Sequence, residues 1–449
     1  MGVSAQVTES RTSGRPSYGN EREFVVAARE GDIDVLRSLL DSGVSARVTD
    51  EDGSTALLWA SYRDDLNMTR LLIDAGAVVN APNDLGATPL WAAGQNGSAA
   101  ATEILLAAGA DPNIPLLSGE TALMVAARSG HPVVVKQLAD AGAALDRRAL
   151  RGQTALMWAV SQKHAEVVGM LIMSGADIHA RSDVWTQVMA VPPHGQFGYN
   201  REIPHGGNTP LMFAARVGDL KSAKLLVEAG ANVDDSNAWG VSATVMAAHS
   251  GYRDVVELLL NKGANPNARR AGFTALHEAI MRRDSSMVKT LLTHGANPNV
   301  QLETWTPIRR ASRDFNFQPP LIGATPFWLA ARFREVDLMR LLVLHGADPL
   351  FVHHADYIAD GSFERQMRST TTLMAALGMG GGRLRSWVPP DDSNQEARVL
   401  AAAKLAVELG VDVNATDTNG HTALDEAEAL QLETVVRFLV EVGAKPSAN

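Results

Sequence analysis

Histidine and carboxylate side chains lie close together in the segment "LFVHHADYIADG", residues 350–361. His353, His354, Asp356 and Asp360 are residue types that can bind zinc. Adjacent residues on an extended segment point to opposite sides, so a shared site would need a further ligand from elsewhere in the chain. We therefore interpret this segment as a turn stabilised by Asp and His side chains, and we assign no metal ligands.

A second candidate for chemistry is the glycine-rich segment "GMGGGRLR", residues 378–385. It is similar to an anion-binding loop with basic neighbours, but it lacks the preceding strand and the GK[ST] ending of a P-loop. Flexible glycines at the start of a long insertion explain it more simply. No Ser–His–Asp order, paired-carboxylate frame or HExxH motif is present. We therefore assign no catalytic residue and no cofactor, and we favour a protein that is not an enzyme.

Composition limits the classes of function. The 449 residues are too many for one compact core, which indicates several domains or a repeat array. The net charge of -10 is spread along the chain, so we expect no nucleic-acid partner. No apolar run reaches the roughly 18 residues that a membrane span needs. The absence of Cys excludes disulfides, thiolate zinc sites and Cys nucleophiles.

The first 19 residues are polar, and we expect them to form a disordered tail. They have no apolar core, so as written they are not a signal peptide. The compartment stays open: the protein is cytoplasmic as written, or exported if a signal peptide has been removed.

Internal similarity is the strongest signal in the chain. Gly53, Gly86, Gly119 and Gly152 are spaced by 33 residues and open the segments "GSTALLWA", "GATPLWAA", "GETALMVAA" and "GQTALMWAV". Further openings follow at residues 207, 240, 272, 323 and 420. A degenerate copy begins at Thr371, and an N-terminal copy without the Thr motif begins near Asn20. The sequence therefore predicts eleven units.

Each unit has the same local pattern. A Gly supplies a turn, and the Thr two residues later can cap the next helix with its side-chain oxygen. In one unit, the helix "TPLMFAARVG" ends at Gly218 and the second helix "DLKSAKLLVEAG" ends at Gly230. The polar stretch "ANVDDSNAWG" then suits an extended finger. One helix pair cannot bury its own apolar stripe, so the pairs must stack.

These motifs resemble the ankyrin repeat family, whose 33-residue unit contains "GxTPLHxAAxxG" and "LLxxGADVN". The closings "LLIDAGAVVN", "LLVEAGANVD" and "LLLNKGANPN" match it, and the resemblance covers nearly the whole chain after residue 20. The chain is similar to long bacterial members with enlarged finger loops. The resemblance implies an all-α repeat fold, an ankyrin-repeat solenoid of about eleven helix-turn-helix units. The motif His appears only as His277, so the Thr–His hydrogen bond of the family is mostly missing.

Four insertions interrupt the period. The spacing from Thr154 to Thr209 exceeds it by 22 residues, and three later spacings exceed it by 18, 13 and 18. The first three enlarge fingers, whereas the fourth falls between the two helices of its unit. The predicted organisation is an N-terminal tail at 1–19, repeats 1–5 at 20–182, an inserted finger loop at 183–206, repeats 6–8 at 207–302, a second inserted loop at 303–322, and repeats 9–11 at 323–449 with inserted loops near 350–370 and 378–395.

The resemblance implies that residues after the "AA" of the first helix, and those flanking the finger Gly, face a concave groove. The candidate groove contacts are Tyr62, Arg128, Arg151, Arg216, Trp239, His249, Phe273 and Arg332. Four of them are Arg, and guanidinium groups match carboxylates and phosphates, which predicts a partner with acidic groups. The alternative is a solvated face with local ion pairs.

The first two insertions carry aromatic, His and Arg residues, types that dominate binding hot spots. The candidate loop contacts are Trp185, His194, Tyr199, His205, Trp305, Arg309, Arg310 and Phe315. Alternatively, Trp185, Trp305, Phe315 and Phe317 are buried against the solenoid and hold each loop in place.

Two functions stay open at this point. The first is a non-enzymatic binding module, a monomer that holds a protein or peptide in its groove and enlarged fingers. The second is a small-molecule pocket, which could be catalytic, roofed by the inserted loops. An enclosed cavity with several convergent polar groups would favour the second function.

Overall fold

The computed structural model describes residues 18–189, 200–306, 317–359, 361–380 and 394–447. Within these ranges the chain divides into two compact units, one ending at Asp177 and the other beginning at Ile178. We describe each unit by itself. The division falls in the finger that precedes the first insertion.

The N-terminal unit consists of five antiparallel helix pairs. The first helices of successive pairs pack against one another in one layer, and the second helices form another layer from α4 onwards. A 3-10 turn at Leu150–Gly152 precedes the fifth pair. The helices are α1 (Tyr18–Glu30), α2 (Ile33–Asp41), α3 (Ala56–Tyr62), α4 (Leu66–Asp74), α5 (Pro89–Asn96), α6 (Ala99–Ala107), α7 (Ala122–Ser129), α8 (Pro132–Asp140), α9 (Ala155–Ser161) and α10 (Ala165–Met173).

The C-terminal unit has six helix pairs in the same two layers and two added β-hairpins. Its helices are α11 (Pro210–Val217), α12 (Leu220–Glu228), α13 (Ala243–Ser250), α14 (Arg253–Asn261), α15 (Ala275–Met281), α16 (Ser285–Thr293), α17 (Pro326–Arg332), α18 (Val336–Leu344), α19 (Thr372–Leu377), α20 (Gln395–Glu408), α21 (Ala423–Ala429) and α22 (Glu433–Glu441). Its strands are β1 (Val184–Met189), β2 (Arg201–Gly206), β3 (His353–Ile358) and β4 (Arg365–Thr370).

The repeat threonines cap the first helices, as the sequence predicts. In every pair after the first, a Thr or Ser side chain accepts a hydrogen bond from the amide three residues later. For Thr209, the acceptor oxygen lies 3.4 Å from the Met212 amide nitrogen. Each cap satisfies one of the amides that a helix start leaves without an intrahelical partner. The short first helices therefore begin at a position that the sequence specifies.

His277 adds a second bond to its cap. Its Nδ1 atom lies 3.2 Å from the Thr274 backbone nitrogen, so the two residues form a reciprocal capping box. The ring is fully buried and makes an edge-on contact with Phe317. Burial lowers the pKa of His277 to about 4, because desolvation disfavours the charged imidazolium.

We expect this buried imidazole to make stability depend on pH. The unfolded chain has an imidazole pKa near 6.5, so it binds more protons than the folded chain as the pH falls. The contribution of neutral His277 to the free energy of unfolding is therefore fully present above about pH 7 and is lost as the pH falls towards 4. Between pH 7.5 and 5 the loss from this one group is about 2 kcal/mol.

The test is the variant His277→Met, measured by urea denaturation at both pH values. Met is the residue that four other repeats have at this position, as Met124, Met157, Met212 and Met374. The variant should lose about 2 kcal/mol less than the parent on acidification. The variant His345→Gln changes an exposed His and serves as the control. An equal loss in the parent and in His277→Met would show that His277 does not produce the effect.

Neighbouring repeats are joined by an asparagine ladder, defined here as Asn80, Asn113, Asn267, Asn299 and Asn414. Each Asn side chain donates to the carbonyl of the Gly that ends the second helix of the next repeat, at 2.8 to 3.2 Å. Each also accepts from a backbone amide just after that Gly. Asn299 makes the same two bonds to Gly346 and Asp348 across an insertion. The insertion therefore leaves these two hydrogen bonds between neighbouring repeats in place.

The first and third insertions contain antiparallel strand pairs, whereas the sequence predicted inserted loops without assigning strands to them. Strand β1 pairs with β2 so that Val184 lies opposite Gly206 and Met189 opposite Arg201. The segment "VWTQVM" is rich in β-branched and aromatic residues, which favour strands. Each insertion is also long enough for two six-residue strands and a turn. Two paired strands form hydrogen bonds between their backbone N–H and C=O groups, so these polar groups have partners.

The third insertion also corrects the interpretation of residues 350–361 as a turn. Strand β3 pairs with β4 from His353 opposite Thr370 to Ile358 opposite Arg365. Burial alternates along β3, because His353 is buried and His354 is exposed. The prediction that the two His side chains point to opposite sides is therefore confirmed. Asp356 forms an ion pair with Arg365, with Oδ1 2.8 Å from Nε.

The other two insertions are described only in part. The fourth falls between α19 and α20, as predicted. In the second, the 3-10 turn Pro319–Leu321 precedes α17, and Phe317 is buried beside Phe273 with their ring centroids 5.3 Å apart. This confirms for Phe317 that an aromatic side chain holds the loop against the repeats.

Candidate functional site

Five of the eight candidate groove residues occupy one repeat position, seven residues after the capping Thr or Ser. In these five repeats this position lies in the last turn of the first helix. These residues are Tyr62 and Arg128 in the N-terminal unit, and Arg216, His249 and Arg332 in the C-terminal unit.

In the N-terminal unit, the side chains at this repeat position contact neighbouring side chains that hold them in place. Tyr62 is 49% exposed and meets Trp59 edge-on, with ring centroids 6.0 Å apart. Arg128 forms an ion pair with Glu120 at 2.9 Å and lies 5.5 Å over the Trp158 ring. These contacts support the alternative of local ion pairs for Arg128, although its side chain is still partly accessible.

In the C-terminal unit, Arg216 lies 4.6 Å over the Phe213 ring on the exposed end of α11. The Nδ1 atom of His249 lies 3.2 Å from the Oε2 atom of Glu278, whose side chain is almost fully buried. The His249 backbone carbonyl also accepts a hydrogen bond from Arg282 in the next repeat, at 2.8 Å. His249 is therefore fixed between two repeats.

Arg332 is the most buried cation at this position. Burial, together with the nearby positive charge of Arg334, lowers the pKa of Arg332 to about 10, and Glu426 opposes the shift. The guanidinium is still protonated at neutral pH, so it places a desolvated positive charge at the end of α17.

The other three groove candidates flank the finger glycines. Arg151 is exposed and has a left-handed backbone with φ of 63°. The Trp239 backbone amide donates to Asn237 Oδ1 at 3.0 Å, and the residue is half-buried. Phe273 requires a correction, because its side chain is only 5% exposed and packs on Phe317. An apolar ring beside an insertion finds a buried partner there, so we leave Phe273 out of the contact surface.

The described loop candidates lie on or beside the insertions. Trp185 and His205 face each other across β1 and β2, and their rings stack with centroids 4.4 Å apart. Trp305, in the second insertion, is half-buried. The remaining loop candidates, His194, Tyr199, Arg309, Arg310 and Phe315, lie outside the described residues.

Within the described ranges, no cluster of three or more His, Asp or Glu side chains could hold a metal ion, and every helix is too short or too polar to cross a membrane. An open depression of about 390 Å³ lies between α8 and α10. None of the candidate residues lines it: its residues are Lys136, Ala139, Asp140, Met170, Met173 and Ser174.

Models of protein families match most of this chain. The model described as "Ankyrin repeats (3 copies)" matches residues 24–115, 109–182, 194–270 and 211–302. The single "Ankyrin repeat" model matches residues 322–354. These matches include both units and stop short of the last two helix pairs.

Several curated proteins and a solved structure are also similar. A putative ankyrin repeat-containing protein of Treponema pallidum is 37% identical over 95 residues, which is 20% of this chain and 32% of that protein. Ankyrin repeat and SOCS box protein 6 of Homo sapiens is 28% identical over 31% of this chain and 28% of its own length. An ankyrin repeat and KH domain-containing protein of Caenorhabditis briggsae is 27% identical over 54% of this chain and 9% of that protein.

This chain therefore spans a third or less of the length of these relatives. The crystal structure of the human ASB11 ankyrin repeat domain aligns with a TM-score of 0.44 and 26% identity, covering 54% of this chain and 98% of that domain.

Proposed function

Because the chain belongs to the ankyrin repeat family, whose repeats are generally protein–protein interaction modules, we propose that it is a non-enzymatic binding module. Its partner is a protein or peptide with acidic groups, held along the groove edge of the first helices and by the enlarged fingers. The observation that carries this proposal is the placement of Arg, His and Tyr side chains at one repeat position in five of the repeats, two in the N-terminal unit and three in the C-terminal unit.

Pre-organisation supports the proposal. His249 is fixed by Glu278 and by a bond from the next repeat, and Arg128 is fixed by Glu120 and Trp158. Side chains that are already held lose little conformational entropy when a partner binds. Arginine forks also match carboxylate groups with two parallel hydrogen bonds.

The double variant Arg216→Ala with Trp239→Ala tests this proposal. We expect it to weaken partner capture by at least about tenfold, because Arg and Trp side chains carry much of the energy of a typical interface. The measurement is affinity capture from a lysate of the source organism with quantification of the captured proteins, repeated at low and high salt. The dissociation constant of the identified partner is then measured by calorimetry.

The matched control is Lys221→Ala with Lys224→Ala, which removes two exposed cations from α12 in the second-helix layer of the same unit. It should leave capture unchanged, and circular dichroism should show the same helicity in all forms. Equal capture by the groove variant and the control would discard the groove part of the proposal. If no protein partner is captured by any form, small-molecule binding becomes the leading function.

A further inference from the structure

Three adjacent fingers of the N-terminal unit each expose a leucine side chain. Leu85, Leu117 and Leu150 are 67%, 81% and 72% exposed, and they lie in the turns before α5, α7 and α9. We call these three residues the leucine patch. Among the described residues, the only other large apolar side chains at least as exposed as Leu85 are Met173 and Leu344, and each of them ends a second helix.

The three fingers touch one another, so the leucines belong to one surface. The Leu117 amide donates to the Leu85 carbonyl at 3.0 Å, which joins the first two fingers. A Cβ atom added at Gly119 would lie 3.3 Å from the Cα atom of Ala149, the residue before Leu150. Fingers of neighbouring repeats are about 10 Å apart, the distance between packed helices. An extended peptide of about ten residues therefore reaches across all three.

The leucine patch contributes little to the fold. Turn positions usually have Gly, Asn, Asp, Ser or Pro, because these residues adopt or stabilise turn backbones. At the repeat position of Leu117 and Leu150, the two preceding fingers have Glu51 and Asp84. A leucine that stays mostly in water gains little free energy from burial. Single exposed apolar residues are ordinary, but an adjacent group of them is typical of a surface that binds another molecule.

Exposed carboxylates lie beside one end of the leucine patch. Asp84 directly precedes Leu85, and Glu51 and Asp52 lie at the tip of the neighbouring finger. The Asp84 amide donates to the Asp52 carbonyl at 2.9 Å, so these two fingers are adjacent. The apolar surface at Leu85 therefore continues into an acidic one.

Two arginines near these carboxylates offset their charge only in part. Arg22 lies 4.0 Å from Glu51, and both side chains are exposed, so this pair contributes little. The Nε atom of Arg47 donates to the Gly76 carbonyl at the end of α4, at 3.2 Å. With the half-buried Asp50 included, this end has four carboxylates and two arginines.

These charges distinguish between the molecules that could cover the leucine patch. A second copy of this chain has a net charge of -10, and anionic lipids give a membrane surface a negative potential. The carboxylates beside Leu85 repel both. They attract a segment with Lys or Arg residues next to its apolar side chains. At the other end, Arg147 is exposed near Leu150, so only the Leu85 end requires a basic partner.

We propose that the leucine patch binds a segment of another protein in which apolar side chains are followed by Lys or Arg. The apolar side chains of this segment cover the three leucines, which removes their surface from water. Its basic side chains lie over Glu51, Asp52 and Asp84. The leucine patch is a second surface of the proposed binding module, and it does not depend on the groove residues.

The experiment selects peptides on the full chain from a phage-displayed library of random sequences of about twelve residues, enough to reach across the three fingers. The library is first depleted on the double variant Leu85→Ser with Leu117→Ser. Ser is a usual turn residue, so the fold of this variant should be preserved, which circular dichroism checks. We expect the enriched peptides to combine apolar residues with Lys or Arg.

The most enriched peptide is then labelled with a fluorophore and titrated with each form of the protein, with anisotropy as the readout. The leucine variant should bind it at least about tenfold more weakly than the parent. The variant Glu51→Lys with Asp84→Lys should also bind it at least about tenfold more weakly, because like charges then face each other. Added salt should reduce the difference between this charge variant and the parent.

The matched control is Leu344→Ser, which removes an equally exposed leucine from the end of α18 in the other unit. It should bind the peptide like the parent, and so should the groove variant Arg216→Ala with Trp239→Ala. No enrichment after depletion, enrichment of Asp and Glu, or equal binding by the charge variant would overturn the proposal. A dimer that sedimentation detects in the parent and not in the leucine variant would identify a second copy as the occupant, and would also overturn it. The groove variant and the leucine variant change different units, so the two proposals fail separately.

Discussion

Replacing Trp328 by Ala should lower the free energy of unfolding by about 4 kcal/mol. Trp328 is fully buried, and it is the largest such side chain of the described residues. Its ring centroid lies 4.2 Å from that of His353, so it joins α17 to the second hairpin. Truncation removes the apolar surface and leaves a cavity that close-packed neighbours refill only in part. The measurement is urea denaturation followed by circular dichroism.

Trp185→Ala is the matched control for this prediction. Trp185 lies in the same unit and stacks on His205, but it is only half-buried on a hairpin. Replacing Trp185 by Ala should lower the free energy of unfolding by about 1 kcal/mol, the contribution of an aromatic pair. Similar losses of unfolding free energy in the two variants would show that the burial of Trp328 does not account for its contribution to stability.

Replacing Gly218 by Ala should cost about 3 kcal/mol, from two separate causes. Gly218 ends α11 with a left-handed φ of 70°, which a residue with a Cβ atom adopts at a cost. In addition, an added Cβ would overlap the ring of Tyr252, which lies across Gly218 from the next repeat. Relieving this overlap requires the two repeats to move apart. Thermal and urea denaturation measure the loss.

Gly230→Ala separates the two causes. Gly230 also has a left-handed φ, of 99°, but an added Cβ would meet nothing within 4 Å. Its replacement should cost about 1 kcal/mol, the backbone contribution alone. Adding Tyr252→Ala to Gly218→Ala should recover part of the difference. If the Gly218 and Gly230 variants are equally stable, the contact with Tyr252 contributes nothing.

The repeated part of the fold could be predicted from the sequence because its determinants are local. The capping threonines and the helix-ending glycines recur with the period, and each acts on residues within one turn of itself. The position of Arg216 and His249 in the last turn of a helix follows from that register. The direction of the groove was predicted only from the resemblance to a known family, and it stays a prediction.

The hairpins and the buried ring of Phe273 were missed for a different reason. Strand β1 is only six residues long, and its pairing partner lies beyond a segment rich in Pro and Gly. Phe273 is buried by Phe317, which is 44 positions later in the chain and belongs to an insertion with no counterpart in other repeats. Contacts of this kind do not follow a period.

The asparagine ladder has a consequence for how this protein folds. Four of its five members bond residues only 28 to 31 positions away, whichever repeat they belong to. Because the sequence separation of these contacts does not grow with chain length, added repeats should not slow the search for the native state. Folding can nucleate in any adjacent helix pairs and spread from neighbour to neighbour. Amide hydrogen exchange should then differ from one helix pair to the next instead of showing a single global rate.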